Sequence, residues 1–153
     1  MAGRSDAVPA WAQWLGWLGV IPFVAGALAA LVLPDGVAIV SLSAVLAYGA
    51  VVLSYLGGVR WGLAMAEYGG SPGPMTWVNA IVPPTVGWLA NLMALAPGLT
   101  LLTLAYVAAF FFDLAMVRAG QAPAWYAALR RPLSAVTVAS LGVCLLAVFV
   151  RFS

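Results

Sequence analysis

The charged residues of this chain are so few and so unevenly spaced that they mark where it can enter a membrane. They are Arg4, Asp6, Asp35, Arg60, Glu67, Asp113, Arg118, Arg130, Arg131 and Arg151. A charge at the bilayer centre costs at least ~2.5–3.5 kcal/mol on the insertion scale, so uncharged stretches locate the spans. The first stretch, between Asp6 and Asp35, predicts a helix over about 11–33, closed by the turn Pro34-Asp35-Gly36. A second helix is expected over 37–65, with Arg60 inside its final turns, followed by the loop Gly69-Gly70-Ser71-Pro72-Gly73-Pro74. From Tyr68 to Phe112 there is no charge, a stretch longer than the ~20 residues one crossing needs. Ala96-Pro97-Gly98 divides it into helices over 75–95 and 99–117. Residues 133–150 form the fifth span, after a connection whose 122–131 portion reads as a short interfacial segment.

Composition agrees. Hydrophobic residues make up 65% of the chain and charged residues 7%, with a mean hydropathy of +1.10. A soluble domain has ~45–50% and ~25% respectively, which excludes a water-soluble globule. The expected fold class is all-α: one domain over residues 1–153, an integral membrane bundle of five transmembrane helices. Arg4, the apolar run after it and Ala27-Leu28-Ala29 resemble a signal peptide. The run continues to Leu33, however, beyond the usual core of ~7–15 residues, so an uncleaved anchor helix is expected. Five spans gather Arg4, Arg118, Arg130 and Arg131 on one side, with Arg60 near it, and leave Arg151 with Asp35 on the other. The positive-inside rule then puts the N-terminus in the cytoplasm and the C-terminus outside. Alanine richness and arginine without lysine point to a GC-rich bacterial genome, and the expected location is the bacterial inner membrane.

Several chemistries are excluded. There is no histidine, which removes Ser-His triads and histidine-ligated metals or haem. Cys144 is the single cysteine, so no intrachain disulfide or multi-cysteine metal site can form. It reads as a small apolar helix residue. A net charge of +2 resting on six arginines is too little for a nucleic-acid surface. No Gly-rich phosphate loop, nucleophile elbow or carboxylate dyad is present, and no cofactor or metal is expected.

The remaining polar residues fall at one depth. Arg60, Asp113 and Asn79 each lie one to one and a half turns from the cytoplasmic end of a different helix. Glu67, seven residues after Arg60, is placed on the same helix face, and Tyr106, seven before Asp113, extends the stripe. Such a cluster reads either as a site for an ion, proton or polar head group, or as an Arg60–Asp113 pair that pins two helices, with Asn79 completing the hydrogen bonds. Opposite charges at equal depth favour the pair. Gly57, Gly58 and Gly62 surround Arg60, and the step Gly58–Gly62 is expected to admit a close helix crossing. Pro22 is expected to kink the first helix, and Pro83-Pro84 to break the third. Trp11, Trp14 and Trp17 belong at the headgroup boundary, as do Trp125 and Tyr126, with Arg130 and Arg131 facing anionic headgroups as an interfacial anchor.

Leu18-Gly19-Val20-Ile21-Pro22-Phe23, Tyr48-Gly49-Ala50 and Gly57-Gly58-Val59-Arg60-Trp61-Gly62 resemble the transmembrane protein 69 family, also called domain of unknown function 3429. Asp113, Arg118-Ala119-Gly120, Pro123-Ala124-Trp125-Tyr126 and Leu129-Arg130 are similar to that family's second half. The resemblance covers the chain from Trp14 into the fifth helix. It implies a small multi-span protein of bacterial inner membranes or mitochondria and implies no activity. Many relatives carry a basic residue directly after the aspartate. Leu114 stands there in this chain, so no charged triad is expected at that spot.

Four functional readings follow. The first is a non-catalytic accessory or assembly subunit, whose partners are the lipid bilayer and other membrane protein subunits or a second copy of itself. A second is a transporter or channel element using Arg60, Asp113 and Asn79. The third is a binder of a quinone or lipid, its pocket lined by Trp61, Trp77 and Trp88 with Arg60 for the polar head. An enzyme built on Glu67 and Asp113 ranks last, because those carboxylates sit on different helices.

Overall fold

The computed structural model describes residues 7–152, which form five helices joined by short connections. They are α1 (Ala10–Val32), α2 (Asp35–Met65), α3 (Pro74–Leu92), α4 (Leu95–Arg118) and α5 (Ala124–Phe152). Four of them, α1, α2, α4 and α5, are long and apolar enough to cross a membrane. Helix α3 does not reach that apolarity. Arg4 and Asp6 lie outside the described residues.

Proline placement sets the helix boundaries, and it departs from expectation in three places. Pro74 opens α3 at a first-turn position, where a missing N–H costs nothing. The same logic moves the α3–α4 turn. Met93 and Ala94 form it, and Pro97 lies within the first turn of α4, where N–H groups have no intrahelical acceptor. Ala96-Pro97-Gly98 is therefore helix and not the hairpin turn. Helix α3 is also continuous through Pro83-Pro84 and not broken there. Finally, the 122–131 segment is no separate interfacial helix. Helix α5 runs unbroken from Ala124 through Pro132 to Phe152, because neighbouring helices tolerate a proline within a span.

Helices α1, α2, α4 and α5 form a four-membered ring, and α3 lies in the outer groove between α2 and α4. The ring's interior is filled by Phe23, Leu42, Leu53, Leu99, Leu102 and Leu141, all essentially inaccessible. Phe23 meets Tyr48 and Tyr106 edge-on at centroid distances of 5.3 and 5.7 Å, tying three ring helices together. The α2–α3 contact is close because glycine allows it. A Cβ at Gly57 would stand 2.4 Å from the Ala80 carbonyl oxygen, and one at Gly87 would stand 3.1 Å from that of Ala50.

Gly58 and Gly62 behave differently. Both are exposed and meet nothing within 4 Å, so the close crossing uses Gly57 and not the Gly58–Gly62 step. The two glycines look outward from the bundle.

Both ends of the bundle are tied. At one end the α2–α3 and α4–α5 connections touch: Gly69, at φ 84°, packs on the Gly120–Gln121 backbone, where a Cβ would come within 2.4 Å of the Gly120 oxygen. At the other end Arg151 donates to the Ala30 and Leu33 carbonyls at 2.6 and 2.8 Å and to Asp35 at 2.5 Å. It thereby serves the open carbonyls at the C-terminus of α1.

Candidate functional site

The buried face of α2 repeats every three to four residues as Leu53, Gly57, Arg60 and Ala64. That of α4 runs Leu102, Tyr106, Ala109 and Asp113, and that of α5 begins Tyr126, Arg130 and Leu133. These periodicities bring two guanidinium groups and one carboxylate to a single point near one end of the bundle. Arg60 is 2% exposed, Asp113 0% and Arg130 7%.

Asp113 is shared between the arginines. Its Oδ1 accepts from Arg60 Nε at 3.1 Å and Nη2 at 3.0 Å, and its Oδ2 accepts from Arg130 Nε at 2.7 Å. Arg60 Nη2 also donates to the Ala109 carbonyl at 2.9 Å, and Nη1 to the Asn79 carbonyl at 3.2 Å. The Phe112 ring lies 5.8 Å from the guanidinium carbon. Arg60 therefore spans α2, α3 and α4, and Asp113 carries the link on to α5. Buried charges of this kind persist only when paired and hydrogen-bonded.

Asn79 enters through its backbone and not its side chain. In a helix its carbonyl would accept from the residue four positions on, but that residue is Pro83, which has no N–H. Pro84 frees the Ala80 carbonyl in the same way, and that oxygen is the one facing Gly57. The double proline thus leaves the helix intact and supplies two bare acceptors to α2.

Several expected members of the cluster lie elsewhere. Glu67 sits beyond the end of α2, exposed, with φ 49°, so it shares no helix face with Arg60. Tyr106 is buried below the charges and donates to the Gly49 carbonyl at 2.7 Å. Trp61 and Trp77 meet edge-on at 4.8 Å, whereas Trp88 is 61% exposed near the far end of α3, so the three rings do not line one pocket. A cavity of about 270 Å³ between α3 and α4 does touch Arg60, Pro83 and Phe112. Of the expected interfacial anchor, Arg131 is exposed and Trp125 half-buried. Tyr126 and Arg130 instead point inward, because α5 continues through Pro132 and carries their face into the ring. A charged triad thus exists even though Leu114 stands after the aspartate: its second arginine comes from α5.

These features define a multi-pass helical membrane protein whose bundle is closed by a buried arginine–aspartate–arginine cluster. The chain belongs to the transmembrane protein 69 family: residues 8–146 match the family described as "Protein of unknown function (DUF3429)". It is 38% identical over 135 residues to "Transmembrane protein 69" of Xenopus tropicalis, covering 85% of this chain and 51% of that protein. The chain therefore spans about half the length of this relative. No solved structure matches.

Proposed function

We propose that this chain is a non-catalytic accessory or assembly subunit of a larger complex in a bacterial inner membrane. The observation that carries this reading is the outward face of α2. Gly58 and Gly62 are exposed with nothing within 4 Å, in a bundle whose other tight glycine contacts are filled from within. Small residues four apart on a lipid-facing surface let a further helix approach backbone to backbone. The buried charges support the same reading, because both Asp113 oxygens are engaged and four hydrogen bonds hold Arg60. An ion or proton path needs such groups free.

All five helices cross the bilayer in this reading. Helix α3 has 19 residues, about 28 Å at 1.5 Å per residue, close to the ~30 Å hydrocarbon core. The end carrying Arg118 and Arg131 faces the cytoplasm with the N-terminus, and Arg151 marks the outer face. Tagged protein purified from native membranes in mild detergent should retain a stoichiometric membrane partner through size exclusion. A photocrosslinking residue at Gly62 should join it to that partner. Recovery of this chain alone, with no crosslink from position 62, would refute the reading.

A further inference from the structure

The second arginine of the cluster is not fully used. Arg130 Nε binds Asp113, but its Nη2 is buried and has no hydrogen-bond partner among the described residues; the same holds for the Tyr126 hydroxyl one turn earlier. Both residues are more than nine-tenths buried, and unpaired polar atoms at such depth are costly. Both also line a cleft of about 530 Å³ between α1, α2 and α5, within the size range of small-ligand sites. Its walls are otherwise mainly apolar, and Gly16 and Gly19 keep the α1 side thin. Charge gives the direction: two guanidinium groups share one carboxylate, and among the described residues no other carboxylate bonds either of them. One positive charge is left uncompensated at the head of a hydrophobic cleft.

We propose that this cleft binds an acyl-chain amphiphile with an anionic oxygen head, the chain lying between α1, α2 and α5. The head oxygen accepts from Arg130 Nη2 and Tyr126 Oη. A carboxylate and a phosphate share this chemistry, as a free fatty acid and an acidic phospholipid respectively. The site is built from this chain alone and needs no partner subunit. Arg130 lies six residues into α5, about 9 Å from its start, so the anionic head sits near the polar boundary while the chain runs inward.

The test uses purified protein in phosphatidylcholine nanodiscs with diazirine-bearing probes: palmitate, phosphatidic acid, the alcohol matching palmitate, and a long-chain quinone. At least one acidic probe should label α1 and α5 peptides around Gly16, Gly19 and Leu133, about tenfold more strongly than the alcohol. Which acid prevails tells carboxylate from phosphate. Gly19→Phe should fill the cleft and abolish labelling; a Cβ there meets only Tyr48 Oη, at 3.9 Å. Tyr126→Phe removes a hydroxyl without a partner, leaves the fold intact and should weaken labelling about fivefold, and it decides the matter alone if Gly19→Phe does not fold. Equal labelling by acid and alcohol, preference for the quinone, or labelling by the acids unchanged in folded Tyr126→Phe would each overturn the proposal.

Discussion

Pro83 stands one turn after Asn79 on α3, and because it has no N–H to give, the Asn79 carbonyl accepts instead from Arg60 at 3.2 Å. Removing Arg60 therefore strips that carbonyl of its side-chain donor, and Pro83 cannot supply the usual backbone one in its place. A double-mutant cycle exposes this dependence. Arg60→Gln should cost about 1–2 kcal/mol less in a Pro83→Ala background than in the native one, read from unfolding in detergent. Strictly additive losses would mean that the proline is not what leaves the carbonyl open.

Asp113 should be the least replaceable residue of the cluster. Asp113→Asn strands two buried guanidinium groups and should cost about 3–5 kcal/mol, seen as a collapse of folded yield and thermal stability. Arg130→Gln should cost less than Arg60→Gln, because it removes one bond to Asp113 and leaves a neutral pair behind. Equal losses for the two arginine variants would contradict the unequal sharing.

The three glycines around Arg60 should separate cleanly. Gly57→Ala forces a methyl group against the Ala80 carbonyl and should destabilise the isolated protein by about 1–3 kcal/mol. Gly58→Ala and Gly62→Ala meet open space and should leave that stability within about 0.5 kcal/mol. If the outward face holds a partner, Gly62→Leu should release it while the purified protein melts normally. Co-purification and melting of the same preparations measure both.

At the opposite end, Asp35 is 70% exposed by its side chain and its pairing with Arg151 is largely solvated. Asp35→Asn should change stability by less than about 1 kcal/mol. Arg151→Ala should cost more, because it also uncovers the Ala30 and Leu33 carbonyls at the end of α1. Matched losses would assign Arg151's contribution to the ion pair alone.

Much of this architecture is legible in the chain because charge is so scarce. The uncharged stretches show that the chain is nearly all helix, and the glycine and proline turns between them place the ends of α1 to α4 to within a few residues. The matching distances of Arg60 and Asp113 from their helix ends place them at one depth. Arg130 escapes such reading because an Arg-Arg-Pro run resembles the edge of a membrane. The signal that identifies it is periodic: Tyr126, Arg130, Leu133, Thr137, Ser140 and Cys144 form one buried stripe that passes Pro132 without a break. Gly57 is hidden for the opposite reason, since a neighbouring G-x-x-x-G step draws attention while only Gly57 shares the spacing of Leu53, Arg60 and Ala64. Asn79 misleads through its side chain, when the bare carbonyl follows from a proline four residues away.

The shared carboxylate also orders events during synthesis. Arg60 leaves the ribosome 53 residues before Asp113, a delay of roughly 3–10 s at ~5–20 residues per second. Throughout that interval the guanidinium can escape the hydrocarbon only by reaching toward the nearby headgroups along its own stem. A chain arrested before Asp113 should accordingly leave a Gly62→Cys thiol open to water-borne reagents, and one extended beyond α4 should not. Until α4 follows, the first two helices would carry a guanidinium whose counterion the ribosome has yet to make.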